Sequence, residues 1–199
     1  MRLRFAGLLA VLAVVLSSAA HAQILIAFGQ QPNLEDFKRS LAPTVGSPEH
    51  AVEKILEVAN LKPGEVLYDL GCGDGRILIA AASRYKVKAV GIEISESLAH
   101  TAAQHVKKAG LQSQVKIIHG DFMKTDLSDA NVVTLYLATA ANDTLRPNLE
   151  HYLKPNTRVV SYDYPIPGWK PIETSDTEGR TNAVHTIYLY EVPASIIKK

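Results

Sequence analysis

Three acids in this sequence each follow a short apolar, β-branched run. Asp69 follows Val66-Leu67-Tyr68, Glu93 follows Ala89-Val90-Gly91-Ile92, and Asp121 follows Val115 to His119 and one glycine. Behind the first acid, glycines fall at alternate positions in Gly71-Cys72-Gly73-Asp74-Gly75, ahead of the alanine-rich run Arg76 to Ala82. Strand, glycine turn and helix in that order are the layout of a nucleotide-binding loop. Glycine reaches backbone angles closed to other residues, so a ligand can lie directly on the main chain. The free N–H groups at the start of the next helix attract an anionic group.

The spacing narrows the ligand. A dinucleotide fold uses G-x-G-x-x-G, whereas this loop is G-x-G-x-G with Asp69 just before it and Asp74 inside it. A second acid beside a phosphate would repel it. The pattern suits a ligand with positive charge and a carboxylate but no phosphate. S-adenosylmethionine, with an ammonium, a sulfonium and a carboxylate, meets that description. Glu93 lies 18 residues beyond Gly75, where a doubly wound fold places its ribose-binding carboxylate. A carboxylate can accept from both ribose hydroxyls at once.

The elements that must hold these residues follow from periodicity. Val52, Ile55, Leu56 and Ala59 recur at helical spacing, so residues 48–60 form an amphipathic helix with Ser47 as N-cap and Pro48 as first residue. Residues 76–84 and 95–108 make the next two helices, the second closed by Gly110. Strands are expected at 66–70, 89–94, 115–119, 131–137 and 157–163. A helix over 139–153 is broken or kinked at Pro147. The proline-rich stretch Tyr164 to Pro171 crosses the open edge. Alternation over 183–192 implies an antiparallel hairpin with residues near 170–176. The fold class is therefore α/β, a Rossmann-like doubly wound, mostly parallel sheet with a C-terminal antiparallel hairpin.

With 199 residues, 47% of them hydrophobic, the chain suffices for one domain with a real core. A formal charge of +1 leaves no polycationic footprint for nucleic acid. Cys72 is the only cysteine, which excludes an internal disulfide and a cysteine-cluster metal site. The seven histidines show no H-x-x-x-H pair, and His100 and His105 read as solvated, so no metal is expected. At the head, Arg2 and Arg4 precede the apolar run Phe5 to Leu16, and Ala20-His21-Ala22 has the A-x-A form of a signal-peptidase site. Residues 1–22 read as a signal peptide or membrane anchor, 23–42 as a lead-in, 43–193 as the folded domain and 194–199 as a tail. Export or anchoring conflicts with a cofactor made in the cytosol. Residues 1–34 contain no acid, so an organelle presequence is the alternative.

The segment Asp69 to Gly75 resembles motif I of the class I S-adenosylmethionine-dependent methyltransferases. A narrower resemblance rests on Pro43-Thr44, Gly71 to Arg76, Val133 to Leu137, Leu145-Arg146-Pro147, Leu153-Lys154-Pro155, Arg158 to Ser161 and Trp169-Lys170-Pro171. These resemble the protein-lysine methyltransferases of mitochondrial ATP synthase subunit c and of the adenine nucleotide translocase, with their bacterial relatives. The segment before the first helix, Leu41 to Pro48, departs from that family's usual aromatic-containing form. The resemblance implies that Asp121 accepts from the adenine amino group while Phe122 covers the ring. It also implies a protein methyl acceptor, with a membrane-embedded one as the finer inference.

Methyl transfer from a sulfonium is an in-line displacement with a neutral leaving group, so the protein mainly aligns donor and acceptor. A lysine acceptor must lose a proton, for which Tyr136 and Asp163, at the ends of the fourth and fifth strands, are the candidates. Tyr136 could equally line the cofactor pocket. Thr44 could hydrogen-bond the cofactor's carboxylate end or shape the turn. The candidate cofactor contacts are thus Thr44, Asp69, Gly71, Cys72, Gly73, Asp74, Gly75, Glu93, Ile94, Asp121, Phe122 and Tyr136. Asn-Pro-Pro-aromatic, which marks transfer to a base or glutamine amide, is replaced by Tyr136-Leu137-Ala138-Thr139. Alternatives are a small-molecule methyltransferase, or an exported adenosyl-binding domain without catalysis.

Overall fold

Short runs of Val, Ile and Leu bounded by glycine, proline or polar turns form the sheet, and the alanine- and leucine-rich segments between them form helices. The computed structural model describes residues 46–178 and 184–197. The predicted signal or anchor, the lead-in and Thr44 lie outside the described residues.

Helix α1 (Glu49–Ala59) buries Val52, Ile55, Leu56 and Ala59 along one stripe and closes at Asn60 in the left-handed region. Pro48, not Ser47, holds the cap position, because its extended backbone (ψ 156°) delays helical angles until Glu49. Strand β1 (Val66–Leu70) leads through the glycine loop to α2 (Arg76–Tyr85), then β2 (Lys88–Glu93), α3 (Glu96–Lys108) and β3 (Val115–His119). A 3-10 turn (Phe122–Lys124), β4 (Val132–Leu135), α4 (Thr139–Tyr152) and β5 (Arg158–Tyr162) follow, and β6 (Glu173–Glu178) and β7 (Val184–Glu191) close the sheet. The strand order is β3-β2-β1-β4-β5-β7-β6. β1 to β5 run parallel, and β7 is antiparallel to both β5 and β6.

The expected α/β class and the closing hairpin are both present. Helix α4 continues through Pro147 rather than breaking there. Pro147 is exposed, so the carbonyl that loses its partner can turn to water. The sheet separates two apolar layers. Leu56 of α1 and Leu78 of α2 pack on Leu67, Val132 and Val160, while Leu145 and Leu149 of α4 pack on Leu70, Val133 and Val159. Consecutive Val159 and Val160 facing opposite layers is the period of a strand buried on both sides.

Gly91 of β2 is the tightest point beneath the loop. A Cβ there would lie 2.4 Å from Leu78 Cδ1 and 2.6 Å from Cys72 Sγ. Gly91→Ala is expected to cost about 1–3 kcal/mol by overpacking, read as a lower urea midpoint, and to loosen the glycine loop through Cys72. An unchanged midpoint would contradict this close packing.

Candidate active site

Parallel register brings the C-terminal ends of neighbouring strands level. Leu70 pairs with both Ile92 and Leu135, and Ile92 pairs with Ile118. Asp69, Glu93 and Asp121 therefore occupy one rim, at the tips of the adjacent β1, β2 and β3. Gly71 and Tyr136 are the next residues beyond the Leu70–Leu135 pair, at the point where strand order reverses. Open α/β sheets bind ligands at that point.

The loop needs its glycines, since Gly71, Gly73 and Gly75 have φ of 81°, 53° and 82°. Its amides, however, are mostly engaged within the protein. The N–H groups of Gly71 and Cys72 donate to Ile92 O at 2.8 and 3.1 Å, and that of Gly75 donates to Cys72 O at 2.9 Å. Gly73 N–H donates to Glu93 Oε2 at 2.9 Å, and Arg76 N–H to Asp74 Oδ1 at 3.3 Å. The turn is thus preformed, with most of its own amides satisfied within the protein.

The acids differ in what they do. Glu93 is buried and also accepts from Ser95 N–H through Oε1 at 2.9 Å, so it ties the loop to the start of α3. Two of a carboxylate's four acceptor directions remain for a ligand. Asp69 is buried and accepts from Thr134 Oγ1 at 2.7 Å. Burial pushes its carboxyl up to about 7, the Thr134 hydrogen bond pulls the other way, and the charges of Glu93 and Asp74 push further up. Among the described residues neither Asp69 nor Glu93 has a cationic partner. A buried pair of acids without a cation is a site that fits a positively charged ligand.

Asp74 and Cys72 are turned elsewhere. Asp74 takes Arg76 Nε and Nη2 at 2.9 and 2.7 Å, which holds its carboxyl below the usual range. Arg76 Nη1 reaches on to Ser47 O at 2.7 Å, so this pair latches the loop to the segment before α1. The Cys72 thiol is buried against Gly91, and burial pushes its pKa up, which makes it a packing group. Asp121 accepts from Met123 N–H at 2.9 Å and caps the 3-10 turn. Phe122 is buried beside Leu70 and Ile92, and Ile94 is half-buried with its carbonyl accepting from His119 Nε2 at 3.1 Å.

Further along the rim, the structure brings Tyr136 and Asp163 into one cluster. The Tyr136 ring meets Tyr162 edge-on at 4.8 Å and stacks on Tyr164 at 6.2 Å. Burial raises the Tyr136 hydroxyl, and the Asp163 charge adds to it. Burial likewise pushes Tyr162 up to about 12, and its hydroxyl has no partner among the described residues. Asn142 of α4 fastens the turn after β5 by donating to Tyr164 O at 3.0 Å. His185, Tyr162, Tyr164, Thr134 and Arg76 were not legible as site residues. The proximity of His185 and Thr134 depends on strand register, whereas Tyr162 and Tyr164 flank Asp163 and Arg76 lies two residues from Asp74.

A mostly parallel sheet with a glycine turn at its switch point, flanked by buried acids that suit a cationic ligand, is the fold and site of a class I S-adenosylmethionine-dependent methyltransferase. A family model, the ANTKMT methyltransferase domain, matches residues 69–173, and the chain belongs to that family. It is 44% identical over 151 residues to a protein-lysine N-methyltransferase of Saccharolobus islandicus, covering 75% of this chain and 93% of that one. It is 34% identical to the mouse adenine nucleotide translocase lysine N-methyltransferase, covering 67% of this chain but only 58% of the mouse protein. Among solved structures, an RNA methyltransferase of Salinibacter ruber in complex with S-adenosyl-L-homocysteine superposes with TM-score 0.73 at 41% identity. That match covers 78% of this chain and 98% of the other.

Proposed function

We propose that this chain N-methylates the ε-amino group of a lysine in a protein acceptor, with S-adenosylmethionine as donor. The observation that carries this reading is the half-buried aromatic pair Tyr136 and Tyr164, backed by buried Tyr162, with Asp163 beside them at the strand tips. Aromatic faces take the aliphatic stem and cationic head of a lysine, and a carboxylate beside them helps manage its proton. The 44% identity to a protein lysine methyltransferase supports the same acceptor class.

For the donor, Asp69 would face the ammonium, Glu93 the ribose hydroxyls, and Asp121 the adenine amino group, with Phe122 and Ile94 as apolar walls. Gly71, Gly73 and Gly75 allow close approach of the backbone, and Thr44 would meet the carboxylate end. Cys72 and Asp74 act by holding the loop. The cofactor supplies a methyl group on a sulfonium that leaves as a neutral thioether. Arg2, Arg4 and the apolar run behind them support export or membrane anchoring, and the resemblance to the translocase and ATP synthase subunit c methyltransferases supports a membrane-embedded acceptor.

The likeness to the Salinibacter RNA methyltransferase favours a second reading, an RNA acceptor. The formal charge of +1 weighs against it. Purified full-length chain would be incubated with methyl-labelled S-adenosylmethionine and, in parallel, with membrane protein, soluble protein and total RNA. Label recovered as ε-N-methyl-lysine after acid hydrolysis is the expected result. Label confined to RNA, or to small molecules, would contradict the proposal.

A further inference from the structure

Asp163 stands in the left-handed region at φ 65°, which a non-glycine residue occupies only when its surroundings hold it there. Its N–H donates to Thr186 O at 2.8 Å. Its two carboxylate oxygens lie 2.7 and 2.8 Å from His185 Nδ1. A carboxylate on that side fixes the imidazole proton on Nδ1 and leaves the lone pair on Nε2. Nε2 has no hydrogen-bond partner among the described residues, and the His185 side chain is 28% exposed. One face of the ring lies along Tyr162, at 5.4 Å and 17°. Tyr162 in turn meets Tyr136, the residue next to the glycine loop across the switch point. An imidazole oriented by a buried-side carboxylate, with its far nitrogen unoccupied, is built to take up a proton.

We propose that His185, oriented by Asp163, is the general base that removes a proton from the acceptor ammonium at the tyrosine-walled rim. This rests on the lysine reading above. One N–H bond of the ammonium breaks and its proton passes to Nε2. The electron pair left on nitrogen forms the new N–C bond, and the pair of the broken C–S bond leaves on sulfur. The imidazolium formed is stabilised by the Asp163 carboxylate and later releases its proton to solvent. The other groups against this imidazole are the Tyr162 ring from the end of β5, behind which Tyr136 and Tyr164 pack, and, from β6, Thr177 opposite it in register. Asp176, the next β6 residue, is engaged with Thr186 Oγ1 at 3.1 Å.

The test compares wild type with His185→Gln, whose amide can still donate to Asp163 but has no base at the Nε2 position. Wild type is first shown to produce ε-N-methyl-lysine; if it does not, the lysine reading fails and this proposal falls with it. With that product in hand, kcat/KM of the variant at pH 7.5 is expected to fall about 100-fold, with affinity for S-adenosylhomocysteine unchanged. Its log kcat/KM should keep climbing toward the lysine range near pH ~10, where wild type has levelled off. A variant within threefold of wild type would overturn the base assignment alone. So would a uniform loss with an unaltered profile, which would make His185 a structural pin for Asp163. Should the variant fail to fold, Asp163→Asn decides: kcat/KM is expected to fall more than tenfold with affinity for S-adenosylhomocysteine unchanged and the same altered pH profile, and activity within threefold of wild type would overturn the proposal.

Discussion

Glu93→Ala is expected to weaken S-adenosylhomocysteine binding at least 100-fold by calorimetry. Two charge-assisted hydrogen bonds to ribose hydroxyls, each worth about 1.5–3 kcal/mol, would disappear together. The same carboxylate also holds Gly73 N–H and Ser95 N–H, so the loop loses its tie to α3 and two buried donors lose their acceptor. Glu93→Gln retains one acceptor oxygen but turns an N–H₂ toward the other donor. Its loss should be intermediate, about tenfold. If Glu93→Ala bound the ligand within threefold of wild type, the ribose assignment would be wrong.

The second large effect concerns Asp69, whose carboxyl is pushed up to about 7. Its folded value lies above the unfolded one near 3.8, so the free folded protein holds an extra proton between those limits. Stability of the free protein from this group is therefore complete at acid pH and is lost as pH rises toward 7, by up to about 4 kcal/mol. A cationic ligand reverses the preference, because it needs the carboxylate. Binding at pH 6 should then release close to ~1 proton, and at pH 8 almost none. Calorimetry of S-adenosylmethionine in two buffers of different ionisation enthalpy reads this directly. Asp69→Asn keeps an acceptor for Thr134 Oγ1 and so should fold. It is expected to be more stable than wild type at pH 8, to bind about 10–100-fold more weakly, and to release no proton at either pH. Proton release that persists in the variant would assign the titration to another group.

Local pattern was enough for the strands, the glycine turn and the three acids at strand ends, because each is written in a run of fewer than ten residues. β3 appears over the residues expected, and β2 (Lys88–Glu93) lies one residue before the expected 89–94. What local pattern could not give is which donors and carboxylates are already engaged. Nothing local marks the partners of the glycine-loop amides, yet Ile92 O and Glu93 Oε2 claim three of them from 20 or more positions away. Asp74 looked like a ligand contact, yet Arg76 two residues on closes onto it. Likewise His185 meets Asp163 only because β7 runs antiparallel to β5 with Tyr162 opposite Ile187, and a one-residue slip would turn that side chain to the other face.

The account depends on the donor sitting over the tips of β1 to β3. A groove lined by Lys62, Glu65, Lys154 and Arg158 opens at the opposite rim of the same sheet, where Arg158 Nη2 meets Glu65 Oε2 at 2.6 Å. Difference density from crystals soaked with S-adenosylhomocysteine separates the two rims in a single experiment. The account predicts the ligand with both ribose hydroxyls on Glu93, its homocysteine ammonium toward Asp69 and its adenine amino group toward Asp121. A nucleoside in the Arg158 groove, with the Glu93 carboxylate untouched, would contradict it.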